Sequence, residues 1–418
     1  MQRVSFLSVL ALFTTFLPVN TVNGLSITKG PYLQNVTPNS IVIMWETDSP
    51  SDSLAIAMDT AIIDEQAHEN IIYDQKHIDN DNYVTIHEVE LNIPYPDYNY
   101  LYKVTSSNNE NTVTDGTGKF KTAPSSAVDF SFSVISDTHV FDESILPTIV
   151  SSMMQDNPDF ILHAGDIEPY GDTLGDLQFF FNKIFPLIHN KPIFPVRGNH
   201  DIEYPTDWFK DYFSLPNNEQ WYTFTYGDVQ FFALDSNTVS LEQDSWLENE
   251  LSSSTAAWKI VFFHKPPYTA GEHLDNEYVK ANWVLLFQKY GVNLVLSGHT
   301  HGYERYYDDT YDITYIVAGG GTSHLNEDWP NEERTPPPIL EKLVKEVSHY
   351  LTIDITSETL TLNARNLDGE SFDSIIITKS PESPIVLKSI YNATSENTMY
   401  VTATVNAGIN TITPLKML

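Results

Sequence analysis

The chain has 418 residues, with 56 Asp or Glu against 22 Lys or Arg and a formal charge of −34. That balance argues against a nucleic-acid partner, whose affinity comes mainly from Lys and Arg meeting phosphates, and a phosphate-bearing substrate would need a local positive centre. Cysteine is absent, which excludes disulfide scaffolds, Cys-ligated zinc, iron–sulfur clusters and thiol nucleophiles, while 41% hydrophobic and 12% aromatic residues exclude wholesale disorder. At roughly 150 residues per domain the length suggests two or three domains.

In chain order, residues 1–24 have the pattern of a secretory signal. Arg3 is followed by a mostly apolar run from Phe6 to Val19, and Val22 and Gly24 give a small-residue cleavage pattern before Leu25. The apolar run is short and interrupted for a span, which needs about 20 residues, and no later stretch reaches that length. The mature chain is therefore expected outside the cytoplasm, with no membrane span after the signal. From 25 to 123, short β-branched and aromatic runs (Ser40–Thr47, Tyr83–Asn92, Asp97–Ser106, Lys119–Thr122) alternate with turn residues, which predicts a small all-β sandwich. Its histidines His68, His77 and His87 form no cluster and read as ordinary surface or loop residues.

After a linker at Thr122–Ser126 the pattern becomes α/β, over residues 128–378. Apolar strands are predicted at Asp129–Ser136, Asp159–Ala164, Lys191–Val196, Val229–Leu234, Trp258–His264, Val292–Ser297 and Ile313–Ala318. Helices are predicted at Leu146–Asp156, Leu174–Phe185, Gln243–Ser252 and Asn276–Tyr290. Strands return over Tyr350–Ile377. The segment 379–418 reads as a β extension or a truncated module.

Five motifs follow five of these strands: Asp137-Thr138-His139, Gly165-Asp166, Gly198-Asn199-His200-Asp201, His264, and Gly298-His299-Thr300-His301. Ligands of open α/β sheets sit at the carboxyl ends of the strands, so these loops should converge on one crevice. Taken singly, Gly-Asp is a turn and Asp-Thr-His a capped loop. It is the ordered set that resists a purely structural explanation. Apart from Asp201 it holds two carboxylates, one amide and five imidazoles, oxygen and imidazole donors that favour Zn, Mn, Fe or Co. One tetrahedral site needs fewer groups, whereas two metals sharing a bridging carboxylate would use nearly all of them. A pair about 3.5–4 Å apart clamps the attacking and leaving oxygens of phosphoryl hydrolysis. His163 lies inside its strand and reads as a buried, hydrogen-bonded residue. His189, His273, His324 and His349 have no motif around them and read as structural.

The order D-x-H, GD, GNHD, H, GHTH resembles the calcineurin-like metallophosphoesterase superfamily, over most of Asp129–Ile377. Three features resemble its purple acid phosphatase branch: G-H-T-H-G-Y-E-R at Gly298–Arg305, a β-sandwich that begins G-P-Y-L-Q-N-V-T-P-N-S and contains Trp45, and the closing D-G-E-S-F-D-S-I-I-I-T. The resemblance implies a four-layer α/β/β/α catalytic domain preceded by a fibronectin type III-like domain. It implies a first metal on Asp137, His139 and His301, a second on Asn199, His264 and His299, and Asp166 bridging both. His200 would be the general acid, oriented by Asp201. The purple enzymes carry Asp-x-Gly in the first motif and a ligating Tyr three residues after the second Asp. Here those positions are His139 and Pro169, the nearest tyrosine being Tyr170, so a similar architecture without a tyrosine–iron bond is implied and the metals stay open among Fe, Mn, Zn and Co.

The expected function is hydrolysis of a small phosphate monoester by a secreted enzyme. The same site would also serve a phosphodiesterase or 5′-nucleotidase, and a secreted non-catalytic binding module is the reading from a different class. Tyr170, Tyr268 and Tyr303 adjoin motif residues, where lining the pocket mouth and packing are both open. Arg305 is expected in a structural ion pair rather than on phosphate.

Overall fold

The computed structural model describes residues 25–59, 66–67, 72–78, 82–115, 118–138, 143–167, 174–202, 208–271, 273–325, 339–344, 346–379, 390–391 and 400–401. The stretch 1–24 expected to be a signal, His68, His139, Tyr170 and nearly all of the 379–418 segment lie outside the described residues, as does the His77 side chain. No helix among the described residues is long and apolar enough to cross a membrane.

Phe160–His163 and Ile193–Pro195 are largely apolar runs, and Phe130–Ile135 alternates Phe with Ser before Val134 and Ile135; nearly all of these residues are buried, as in strands covered on both faces. They pair in parallel, with Phe132 opposite Phe160 and Ile161 opposite Ile193. The antiparallel strands His349–Ile355, Thr359–Asn366 and Ser371–Thr378 extend this sheet on one side. A second, seven-stranded sheet runs Tyr222–Tyr226, Val229–Ala233, Trp258–Phe262, Leu294–Ser297, Ile313–Ala318, Tyr303–Asp308 and Ile339–Val344. Its middle strands are likewise parallel.

Aromatic rings fill the space between the two sheets. Phe132 stacks on Phe160 at 5.1 Å and Phe194 on Phe224 at 3.9 Å, while Phe231 meets Phe132 and Phe160 edge-on at 5.3 and 5.4 Å. Helices Ile145–Asp156 and Leu174–Ile188 cover the outer face of the first sheet with Ile149, Met153, Phe180 and Ile184. Helices Leu241–Ser253 and Val284–Tyr290 cover the second with Leu247, Leu251 and Phe287. These are the four layers α/β/β/α.

Strand and helix positions follow the hydrophobic pattern closely, with one change of type. The stretch expected as one helix over Asn276–Tyr290 begins instead with a π-turn at Val279–Trp283. Widening the helix there brings residues five apart onto one side. Tyr278 and Trp283 accordingly both donate to the Asp244 carboxylate, at 2.5 and 2.7 Å. The strands Tyr222–Tyr226, Ile339–Val344 and Tyr303–Asp308 have no counterpart among those expected from the sequence. In the latter, Glu304 and Arg305 interrupt the apolar signal, yet the strand alternation turns Glu304 into the interior.

The N-terminal region is all-β. Asp52–Asp59, Gln66–Ala67, Asn99–Ser107, Thr112–Thr114 and Gly118–Lys121 form one sheet. Ile27–Gln34, Ser40–Thr47, Asn82–Asn92 and Ile72–Ile78 form the facing one. The indole N–H of Trp45 donates to Ser106 Oγ at 2.8 Å across the space between them. The second of these sheets is also continuous with the first α/β sheet, because Gln34 pairs in parallel with Ile193.

His87 departs from its expected surface or loop setting. It is fully buried, stacked on Trp45 at 4.9 Å, with Nε2 2.8 Å from Thr47 Oγ1 and Nδ1 2.5 Å from Ser53 Oγ. Its strand has a one-residue alternation that points it inward, and hydroxyl partners make a neutral imidazole tolerable there. Burial depresses its pKa to about 4 from 6.5. The unfolded chain takes up a proton below about 6.5 that the folded chain refuses until about 4. Stability from this group is therefore complete above 6.5 and falls as pH drops through that window, by up to about 3 kcal/mol. Urea midpoints at pH 7 and pH 4.5 should separate more in the wild type than in His87→Asn. Equal separations would contradict this account.

Candidate metal centre

Three of the motif residues occupy the left-handed backbone region immediately after their strands: Asp137 (φ 56°), Asp166 (φ 55°) and His299 (φ 71°). Such a conformation costs a non-glycine residue about 1–3 kcal/mol and persists only when the surroundings enforce it. Here the loops enforce one another. The Asp137 N–H donates to Gly165 O at 2.9 Å and the Thr138 N–H to Asp166 O at 2.9 Å. The His299 N–H donates to both Asp137 carboxylate oxygens at 3.1 and 3.0 Å, and the His200 N–H to Asp166 Oδ1 at 2.9 Å. Each acid thus arrives at the crevice already anchored by a neighbouring loop.

Two glycines make room for these contacts. A Cβ on Gly198 would lie 1.9 Å from Asp166 Oδ1, and one on Gly298 would lie 2.0 Å from Ser136 Oγ and 2.3 Å from Asp137 Oδ2. The glycine in each motif is demanded by the close approach of the acid, and not only by a turn.

Asp166, His264 and His299 each present a ligand atom, all within 4.8 Å of one another. His264 Nε2 is 3.1 Å from Asp166 Oδ2 and 3.2 Å from Asn199 Oδ1. His301 Nε2 is 3.5 Å from Asp137 Oδ1, and His200 Nε2 is 4.0 Å from Asp166 Oδ2. The structure thus brings together seven predicted residues: Asp137, Asp166, Asn199, His200, His264, His299 and His301.

The hydrogen bonds on the far side of two imidazoles test whether a cation fits. His264 Nδ1 lies 2.9 Å from Ala164 O, and His301 Nδ1 2.7 Å from His324 O. A carbonyl can only accept, so both Nδ1 atoms carry hydrogen and, in neutral rings, both Nε2 lone pairs face carboxylate oxygens. That opposition requires either a proton or a metal ion between them, and the arrangement is the usual outer support of a metal-bound histidine.

The electrostatics agree. Burial pulls the His264 pKa down, but the Asp166 charge and hydrogen bond, Asp137 and the Ala164 carbonyl outweigh it and lift the pKa to about 9. His299 goes the other way, to about 2, through burial and the neighbouring His264 and His273. Burial and the Asp166 charge raise Asp201 to about 6. One edge of the crevice therefore attracts positive charge while another keeps its imidazole neutral and able to ligate.

Asp201 accepts from the N–H groups of Gly198 at 2.7 Å, Asp166 at 3.0 Å and Ile167 at 2.9 Å. Its carboxylate holds two loops in register, so its influence on His200 passes through the backbone. One further histidine, outside the five motifs, lies against this cluster. His273 stacks on His299 with ring centroids 4.0 Å apart. It does not follow a strand directly, and its sequence signals are Gly271 two positions before it and His264 nine positions before it.

The other expectations resolve simply. His163 is buried, with Nε2 3.0 Å from Thr138 Oγ1. Arg305 is ion-paired to Asp373 at 2.8 Å. Tyr303 is buried and donates to Asp373 Oδ2 at 2.8 Å, and Tyr268 packs edge-on against Tyr315 at 5.2 Å, so both tyrosines pack.

Residues 130–303 match the model of the calcineurin-like phosphoesterase family. Purple acid phosphatase 15 of Arabidopsis thaliana is 26% identical over 248 residues, covering 46% of this chain and 47% of that protein. Acid phosphatase type 7 of Mus musculus is 28% identical over 255 residues, covering 53% of this chain and 56% of that protein. The chain thus spans about half the length of these curated relatives. The solved purple acid phosphatase PPD1 of yellow lupin (Lupinus luteus) seeds shares the fold with a TM-score of 0.70 at 17% identity, over 83% of this chain and 74% of that one.

The close approach at Gly198 yields a prediction. In Gly198→Ala the new methyl group forces Asp166 away from His264, and metal affinity measured by titration should fall at least tenfold while far-UV circular dichroism stays near wild type. Unchanged affinity would show that the site tolerates a displaced Asp166.

Proposed function

We propose that this chain, whose residues 130–303 belong to the calcineurin-like phosphoesterase family, hydrolyses small phosphate monoesters at a dinuclear metal centre. The observation that carries this is the convergence of Asp166, His264 and His299 within 4.8 Å, with Asp137 and His301 alongside. Asp137, His301 and His139 would hold one ion, and Asn199, His264 and His299 the other, with Asp166 between them. Ions held there would polarise the phosphoryl group and offset its charge, which a chain of net −34 otherwise opposes.

The chain's own residues have distinct tasks. Asp137 and Asp166 are fixed by backbone N–H groups from neighbouring loops, so they keep their places whether or not substrate is present. Asn199 supplies a neutral oxygen beside His264, which limits the negative charge gathered at that end. His200, partly exposed and 4.0 Å from Asp166, is placed to give a proton to the departing alcohol oxygen, a contribution typically worth about 10²–10⁴ in rate. Asp201 holds the His200 loop against the Asp166 loop. The N-terminal region would be fibronectin type III-like, and the leader pattern supports a place outside the cytoplasm.

His200→Ala should retain wild-type metal content and lose about 10²–10⁴ in kcat on para-nitrophenyl phosphate. Asp166→Ala should lose both ions by elemental analysis. The monoester should turn over faster than bis(para-nitrophenyl) phosphate, and the reverse preference would favour a phosphodiesterase. Tight metal binding with no turnover of any phosphoester would favour a binding module.

A further inference from the structure

We propose that Glu304 is a positioning residue of this centre, locking the 268–271 segment to the Gly298–His301 loop through Thr269 and Thr300 so that His273 stays stacked on His299. Glu304 is fully buried on the Tyr303–Asp308 strand. Its Oε1 accepts from Thr269 Oγ1 at 2.9 Å, its Oε2 accepts from the Ala270 N–H at 2.8 Å, and the Tyr306 hydroxyl also donates to Oε2. Thr269 has a single hydroxyl hydrogen, which goes to the carboxylate. The 3.0 Å contact between Thr269 Oγ1 and Thr300 Oγ1 must then be donated by Thr300, and the Gly271 N–H donates to the same oxygen at 3.0 Å.

The bonds therefore have one direction, from Thr300 and the turn inward to Glu304. Thr300 stands between His299 and His301, and the turn leads to His273, whose ring lies 4.0 Å from that of His299. One carboxylate thus sets the relative position of two loops that each bring an imidazole to the site. The lock explains why Thr300 separates the two histidines and why an acidic residue follows them at a buried strand position. It also separates two classes of loop at the centre: those held by the ligand acids themselves, and this one, held from behind.

This inference rests on the phosphoesterase reading for its kinetic arm only. The test uses the full chain loaded with zinc(II) and compares Glu304→Gln, Thr269→Val and Thr269→Ser in wild-type and His273→Ala backgrounds. Glu304→Gln replaces one acceptor oxygen with an amide that cannot accept, and Thr269→Val deletes the relay hydroxyl while leaving the carboxylate. Either should lower kcat/KM for para-nitrophenyl phosphate at least tenfold, move the His273 imidazole NMR resonances away from their stacked positions, and leave zinc content unchanged. Thr269→Ser should restore the resonances and most of the rate. In the His273→Ala background the same substitutions should cost less than threefold. Equal losses in both backgrounds, or His273 resonances unmoved by Thr269→Val, would overturn the proposal. If Glu304→Gln fails to fold, Thr269→Val decides. If the wild type hydrolyses no phosphoester, the proposed function falls, and the NMR comparison alone judges the lock.

Discussion

The structure is organised around an opposition that ordinary packing would avoid: carboxylate oxygens of Asp137 and Asp166 face imidazole nitrogens whose other ring nitrogens are already committed to carbonyls. Both acids are almost wholly buried. Gathering such groups inside a protein is unfavourable unless positive charge joins them. A fold that maintains the arrangement does so for what it can hold. The strained backbones of Asp137, Asp166 and His299 belong to the same account, since relaxing any of them would rotate a donor side chain away from the crevice.

Two sheets are needed to build it. The first supplies Asp137, Asp166, Asn199 and His200 from the ends of three parallel strands, and the second supplies His264, His299 and His301. Neither set is a complete donor cluster. The site exists at the seam, so the stacked phenylalanines between the layers have a functional consequence: they fix the distance between two half-sites. Sliding one sheet over the other by one residue would bring the wrong side chains to the crevice while leaving the buried apolar area nearly unchanged. Specific ring geometry, such as Phe194 on Phe224 and Phe231 edge-on to Phe160, resists that slide.

Much of this was legible in the sequence because two strong signals coincide there. Apolar runs mark buried strands, and polar motifs immediately after them mark the ligand-bearing ends. Asp137, Asp166, Asn199, His264 and His299 carry both signals. His273 carries neither, since its place depends on how a loop folds back, and the Thr269 and Ala270 that precede it are bonded to Glu304 from another part of the chain. The burial of His87 is hidden for a related reason: the strand T-I-H-E-V-E alternates, but which face is interior depends on the partner sheet. Asp201 was legible as part of the motif, whereas its three backbone contacts are set by loops distant in sequence. Local patterns reveal what ends a strand. They do not reveal which distant group closes over it.

The junction between the all-β region and the α/β region extends the same argument beyond the crevice. Glu46 is buried and accepts from Lys29 Nζ at 2.6 Å, from Thr28 Oγ1 at 2.5 Å and from the Tyr212 hydroxyl. The Tyr212 carbonyl in turn accepts from Tyr32 OH and Gln34 Nε2, both at 2.9 Å, and Gln34 Oε1 takes the Ser214 N–H at 2.5 Å. A buried ion pair adds little net stability over a hydrophobic pair, yet removing one partner costs roughly 3–5 kcal/mol. Its consequence is therefore directional rather than adhesive, because it admits one docking of Tyr212 and penalises others. Tyr212 belongs to the short helix Trp208–Tyr212 that follows the His200 motif. The N-terminal region is thus joined to the segment that carries the proposed general acid, by a shared sheet on one side and a polar lock on the other, and serves as part of the scaffold of the site rather than as an appended module.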